Sequence, residues 1–377
     1  ATVEQLKRYQ ELGGDMTTAR PLLVRAMYLN KDYAGAKTEL QQVIADAEKA
    51  GKAPSQEDMK LLLSSTHESK DTAGYASAVE KMVTYYPSDE YWNELIRVGV
   101  IKKPGFSQDN YMTVLRLLFA ATKTMREEDY VDLAETALRD GFPTEAKNVM
   151  DAGYAAGVLG KGANAKAHGQ LRDRANKQAA DDAKNIASGE ASAAKSKNGA
   201  GLVNLGWAYS TMGQHDKGIG FIQQGIAKGG LKQPDEAKLR LGIAQSKAGR
   251  KDEAIKTFDS VKAGGGLADA ARVWVMLLKQ PAAGGAQAAD QVERGAPGTG
   301  DPVRPVVGLE HGAGAGLGQQ HLVFAQLFAR HVEGQWRVAG QSARGLQGGG
   351  GIGLERQAQA AVLALAQQQL GAADRGG

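Results

Sequence analysis

The sequence predicts an all-α protein: a superhelical solenoid of antiparallel helix pairs over about residues 1–279, followed by a largely unstructured Gly/Ala/Gln-rich tail. Three observations carry this. Apolar residues recur at helical 3.6-residue spacing through the first 280 positions, with no sustained period-2 alternation between hairpin turns. The apolar stripes come in pairs joined by a few polar or glycine residues, and helices joined that closely must lie antiparallel. The composition then breaks near Gln280.

Composition removes several function classes. The chain has 377 residues, 42% hydrophobic and 23% charged, enough for two or three domains or one elongated repeat array. Aromatics at 6% argue against an aromatic-rich β-sandwich or a sugar-stacking surface. The net charge of +4 is spread over 46 basic and 42 acidic side chains without a basic block, so nucleic-acid binding has no electrostatic footprint. Cysteine is absent, which removes disulfides, thiolate metal sites and cysteine nucleophiles. No apolar run approaches the roughly 18–20 residues of a transmembrane helix.

The elements follow in order. Leu22, Leu23, Ala26, Met27 and Tyr28 form one apolar face. Ala36, Leu40, Val43 and Ile44 form the next, after the break at Asn30-Lys31-Asp32. Leu61–Pro87 reads as a further pair, and residues 88–124 as an atypical one, with Trp92, Leu95 and Ile96 and then Val114, Leu115, Leu117 and Leu118. Glu127, Glu128 and Asp129 place negative charge where the next helix starts, which complements its dipole. Leu133, Ala134, Ala137, Ala146 and Met150 then restore the spacing, with Gly141-Phe142-Pro143 as the turn. Residues 1–162 are thus degenerate helix pairs. Residues 163–198 are rich in Ala, Lys and Asp around Leu171 and are expected as a polar helical hairpin bridging two blocks.

The clearest pairs occupy 199–279. Leu205, Gly206, Tyr209, Gly213, Gly218, Ile222 and Gly225 are echoed by Leu241, Gly242, Gly249, Ala254, Phe258 and Val261, with Gly206 and Gly242 36 residues apart. Small residues at 206, 218, 242 and 254 let paired helices approach closely, and Gly213 and Gly249 end the first helix in a left-handed conformation. This pattern resembles the tetratricopeptide repeat, and the resemblance covers about 17–279. Two phrases, Ile226–Leu231 followed by Pro234-Asp235-Glu236-Ala237, and Lys81–Trp92, resemble exported bacterial tetratricopeptide proteins. The resemblance implies a periplasmic or cell-envelope location and a natural end soon after Leu267–Leu278. The chain starts at Ala1 without Met or an apolar signal segment, so a processed or missing front is expected.

No residue set reads as catalytic, cofactor-binding or metal-binding. His311, His321 and His331 are spaced ten apart, which shares neither a helix face nor one loop. His67, His168 and His215 are scattered, and His215 reads as a solvated turn residue. The glycine runs 312–318 and 348–351 lack the preceding strand and the following Gly-Lys-Ser/Thr of a phosphate loop. Ser64-Ser65-Thr66-His67 reads as a helix end.

What remains is the concave groove that the resemblance implies, lined by first-helix positions facing away from the second helix. Carried onto the two good copies, these are Asn204, Trp207, Ser210, Thr211, Arg240, Ile243 and Lys247. Trp207 is either an exposed anchor for a peptide or core packing against the next hairpin. The expected function is a non-enzymatic protein–protein interaction scaffold binding a protein or peptide. Self-association is a further possibility. The alternative is the repeat region of a larger enzyme or regulator whose catalytic part lies elsewhere.

Residues 281–377 contain 21 Gly, 19 Ala and 13 Gln, and no Lys, Asn, Tyr or Met. At the frequency of the preceding residues about nine lysines would be expected. A shifted frame through GC-rich DNA would give this composition; so would a natural low-complexity linker. The tail is expected to contribute nothing to native function, so truncation after Lys279 should leave the melting temperature unchanged. A loss of several degrees would place the tail in the fold.

Overall fold

A computed structural model describes residues 2–14 and 16–280, and they are helices and turns with no strand among the described residues. The expected tail lies outside the described residues, and so do Gln319–Val332 and Leu354–Leu370, where alanine and glutamine favour isolated helices within it. The described chain divides after Tyr75 into two compact parts.

The first part holds α1 (Thr2–Glu11), α2 (Met16–Leu29), α3 (Tyr33–Lys49) and α4 (Gln56–Glu68). The stripe read from the sequence is its core: Leu6, Leu23, Met27 and Ala36 are buried, with Leu22 and Tyr28 packed against them. Ser55 caps α4 by accepting from the Asp58 amide. Ser65 and Thr66 are fully buried in α4, and the Ser64 and Tyr28 hydroxyls hydrogen-bond at 2.5 Å, so this serine–histidine run is helix packing.

α5 (Thr72–Tyr85) leads into the second part. There follow α6 (Asp89–Ile96), a π-helical turn (Arg97–Ile101), α7 (Tyr111–Ala121), α8 (Glu127–Arg139) and α9 (Pro143–Ala155). Next come α10 (Ala165–Asn185), α11 (Glu190–Lys195), α12 (Ala200–Thr211), α13 (His215–Lys228), α14 (Pro234–Lys247), α15 (Lys251–Asp259) and α16 (Leu267–Lys279). The expected hairpin at 163–198 has unequal arms: α10 runs 21 residues and α11 only six. α10 buries Leu171, Ala175 and Ala179 and packs on α9, whereas α11 packs on α12.

One turn joins the helices of each pair. After α12 the Gly213 amide donates to Ser210 O and the Gln214 amide to Tyr209 O; after α14 Gly249 and Arg250 repeat this on Ser246 and Gln245. Gly141 and Phe142 do the same after α8, and Lys31-Asp32 and Lys70-Asp71 after α2 and α4. These paired bonds satisfy carbonyls that a helix end would otherwise leave without partners. The left-handed position holds glycine at 141, 213 and 249, with φ of 83°, 81° and 77°. In the first part it holds Lys31 (φ 62°) and Lys70 (φ 56°), each followed by an aspartate that caps the next helix. An L side chain is strained there, so Lys31→Gly and Lys70→Gly should each stabilise by about 0.5–1 kcal/mol. Chemical denaturation checks this, and Lys60→Gly, inside α4, should instead destabilise by about 1 kcal/mol.

Helices α12 and α13 pack backbone to backbone. A Cβ on Gly218 would stand 2.5 Å from the Gly206 carbonyl oxygen, and one on Gly199 would stand 1.8 Å from that of Gly225. In the next pair the ring of Phe258 fills the space over Gly242, and Asp235 takes over the end contact by accepting from the Lys262 and Ala263 amides at 2.7 Å.

The second part also closes on itself. α7 packs on α8, α8 on α9, α9 on α12, α12 on α14 and α14 on α16, and α16 returns to α7. At the seam Asn110 Nδ2 and the Ser107 amide donate to Gly265 O at 2.8 and 3.2 Å, and Gln280 Nε2 donates to Val83 O at 3.0 Å. Lys103 pairs with Asp269 and Arg272 with Glu80. Behind these polar contacts α16 buries Leu267, Ala270, Val273 and Trp274, and Trp274 stacks on Phe258 with centroids 5.6 Å apart. Gln280 belongs to this seam, so the tail is better removed after Gln280 than after Lys279.

Candidate functional site

Arg116 stands in an otherwise apolar run, Val114-Leu115-Arg116-Leu117-Leu118, so burying the stripe of α7 carries a guanidinium inward. It is 5% exposed. Its Nε donates to Glu145 Oε1 at 2.7 Å and its Nη2 to Glu145 Oε2 at 2.9 Å, a two-pronged pairing from α7 to α9. Trp207 of α12 donates from Nε1 to the same Glu145 Oε2 at 2.9 Å. The Arg116 guanidinium carbon lies 4.8 Å from the Trp207 ring centroid and 6.0 Å from that of Phe142.

α14 adds Glu236, Arg240 and Lys247. Arg240 donates to Glu236 Oε1 at 2.6 and 3.1 Å and to Asn204 Oδ1 at 2.9 Å, and lies 5.2 Å from the Phe142 ring. Lys247 Nζ lies 5.7 Å from the Trp207 ring. Three cations thus surround two carboxylates.

The protonation states follow from that balance. Burial alone would raise the Glu145 carboxyl, but the Arg116 charge and the hydrogen bonds from Arg116 and Trp207 hold it below the usual carboxylate range. Burial opposes the Arg116 charge, and Glu145 and Glu236 outweigh it, so this guanidinium is held more firmly protonated. Arg240 is lowered, by burial and then by the like charge of Arg116, despite Glu236. The Lys247 ammonium is lowered by desolvation; Glu145 opposes that and Arg116 adds to it.

The groove residues read from the sequence separate into two groups. Trp207 (1% exposed), Ser210, Thr211 and Ile243 are buried, so none of them lines an open groove. Ser210 Oγ meets His215 Nδ1 at 3.2 Å, and Thr211 O accepts from Asn148 of α9 at 3.0 Å. The physical reason differs along the set: α7 and α9 cover Trp207 and Thr211, which the two tandem copies alone leave open, whereas Ser210 lies against Gly218 and His215 of α13, its own partner helix. Asn204, Arg240 and Lys247 still reach the surface. His215 opens α13 rather than sitting in a solvated turn, and partial burial followed by the nearby Lys247 charge lowers its pKa.

Arg116, Phe142, Glu145 and Glu236 were not legible as a group. The available signal was an arginine inside a leucine run, which solvent-exposed helices rarely place there. Among the described residues no group of three histidines or carboxylates is placed to hold a metal ion; His311, His321 and His331 lie outside them. No described helix is long and apolar enough to cross a membrane.

Beside the cluster a cleft of about 410 Å³ opens between α12, α14 and the Gly230–Gln233 loop. Asn198, Asn204, Lys232, Gln233, Glu236 and Arg240 supply polar groups, and Val203, Ala237 and Leu231 an apolar wall.

Residues 236–263, which run from the first turn of α14 to just past α15, match the tetratricopeptide repeat family. No curated protein matches the sequence significantly. Tandem helix pairs, the shared left-handed turn and this match agree: residues 236–263 form a tetratricopeptide repeat, and the neighbouring pair α12–α13 is joined by the same turn, an architecture that suits protein–protein interaction.

Proposed function

We propose that the chain is a non-enzymatic scaffold that holds a protein or peptide segment in the cleft beside Asn204 and Arg240, working in the bacterial cell envelope. The observation that carries this is the cleft itself. It adjoins the matched repeat, presents side-chain amides able to donate and accept, keeps its guanidinium–carboxylate pair internally matched, and adds a single further charge, Lys232. Such a surface fits the alternating donors and acceptors of a polypeptide better than a densely charged ligand. The envelope location rests on the two phrases at 226–237 and 81–92, and fractionation of cells expressing the full-length gene tests it.

Selecting displayed peptides against the full chain tests the binding. Selected peptides should lose about tenfold in affinity with Asn204→Ala and little with Lys60→Ala, which is remote in sequence from the cleft. Peptides indifferent to Asn204, or none selected, would contradict the reading. A catalytic domain fused in frame in the full-length gene would favour the alternative of a larger enzyme or regulator.

A further inference from the structure

Lysines collect at the mouth of the cleft. Residues 186–240 contain six lysines and one arginine against four acids, so this stretch carries +3 of the chain's net charge of +4. Each of those acids already has a cation: Glu190 pairs with Lys217 at 2.7 Å, Asp216 with Arg250 at 2.7 Å, Asp235 with Lys238 at 2.6 Å and Glu236 with Arg240 at 2.6 Å. Lys195, Lys197, Lys228 and Lys232 are exposed, and none of them pairs with a carboxylate among the described residues.

The fold sets these four side by side. The Gly199 amide donates to Gly229 O at 2.8 Å, Lys228 Nζ donates to Ala194 O at 2.5 Å, and a Cβ on Gly230 would stand 2.9 Å from that of Asn198. The segments leading into α12 and α14 therefore run together, and Asn198 and Lys232 both line the cleft. Like charges gathered at one mouth attract an anionic partner and steer its approach. Behind them the wall is Val203, Leu231 and Ala237, and no aromatic ring lines the cleft on which a nucleic-acid base could stack. Spaced carboxylates on a polypeptide fit this arrangement better than phosphates do.

We propose that the cleft takes an acidic peptide segment, with one apolar side chain against Val203, Leu231 and Ala237 and flanking carboxylates on Lys197, Lys228 and Lys232. That a peptide binds here rests on the scaffold reading; its acidity rests on the lysines alone.

The test uses peptides selected on the full chain from a random octapeptide library at low salt. They should carry Asp or Glu on either side of an apolar residue, and replacing those acids by Asn or Gln should weaken binding about tenfold. Raising salt from about 50 to about 500 mM should weaken the acidic peptides several-fold and their amide analogues little. Lys197→Gln with Lys232→Gln should weaken the acidic peptides about tenfold and leave the amide analogues unchanged. Lys166→Gln with Lys177→Gln, the same loss of charge at exposed positions of α10, should do neither. Peptides that need Asn204 but no acid would overturn the proposal and leave the scaffold reading standing; selection of no peptide would overturn both. Tighter binding of octauridylate than of the acidic peptides at equal salt would assign the lysines to phosphates and overturn it as well.

Discussion

Glu145→Gln should destabilise the protein by about 3–5 kcal/mol, because it leaves the Arg116 charge buried without its carboxylate. For a part of this size that is a fall of roughly 10 °C or more in melting temperature. The amide is nearly isosteric and can still accept from Trp207 Nε1, so the loss reports the charge pair rather than a cavity. Replacing both partners, as in Arg116→Met with Glu145→Met, should cost less than either single change, since no unmatched charge remains. Costs that simply add would show that the two side chains do not act as a pair. The pH dependence has a definite sign. The folded carboxyl is held below its unfolded value of about 4.3, so the unfolded state binds more protons. The stabilisation is therefore complete above that value and is lost as pH falls through the folded pKa. Between pH 7 and acid conditions, Glu145→Gln should lose less stability than the unaltered protein.

Gly218→Ala should destabilise by about 3 kcal/mol or more, the upper end for overpacked sites. The new methyl would lie 2.5 Å from the Gly206 carbonyl oxygen and 2.9 Å from the Ser210 amide nitrogen, both backbone atoms that cannot rotate away. α12 and α13 would have to separate along their whole contact, disturbing Trp207 on α12. Two residues further on, Gly220 faces open space, and Gly220→Ala should stabilise by about 0.5–1 kcal/mol through helix propensity alone. Opposite signs two positions apart in one helix, read by urea denaturation, test whether close backbone approach sets this pair. Two changes of the same sign would contradict it.

Those glycines explain what the sequence could show. Gly206, Gly218, Gly213 and Gly249 are local signatures: each is demanded by a contact or turn within one helix pair, so periodicity exposes it. Even the lysine variants of the turn, Lys31 and Lys70, keep the phase because the following aspartate caps the next helix. The site was less legible. Asn204 and Arg240 are 36 residues apart and bonded to each other, so reading one copy onto the next found them together. Trp207 was ambiguous between anchor and core, because its environment depends on Glu145, 62 positions earlier. Closure of the circuit depends on α7 meeting α16, and no local period encodes a contact between Lys103 and Asp269, 166 positions apart.

That closure decides which faces of residues 76–280 are covered, and the absence of cysteine makes it directly measurable. Lys103→Cys with Asp269→Cys gives two unique sites for spin labels at the ends of the seam. In a closed circuit a double electron–electron resonance experiment should return one narrow distance below about 25 Å, since the native side chains touch. In an open array the two labels would be separated by the row α7, α8, α9, α12, α14 and α16, at about 8–10 Å per neighbouring helix. A distribution centred at roughly 40 Å or beyond would contradict the closed circuit and return Trp207 to an open groove.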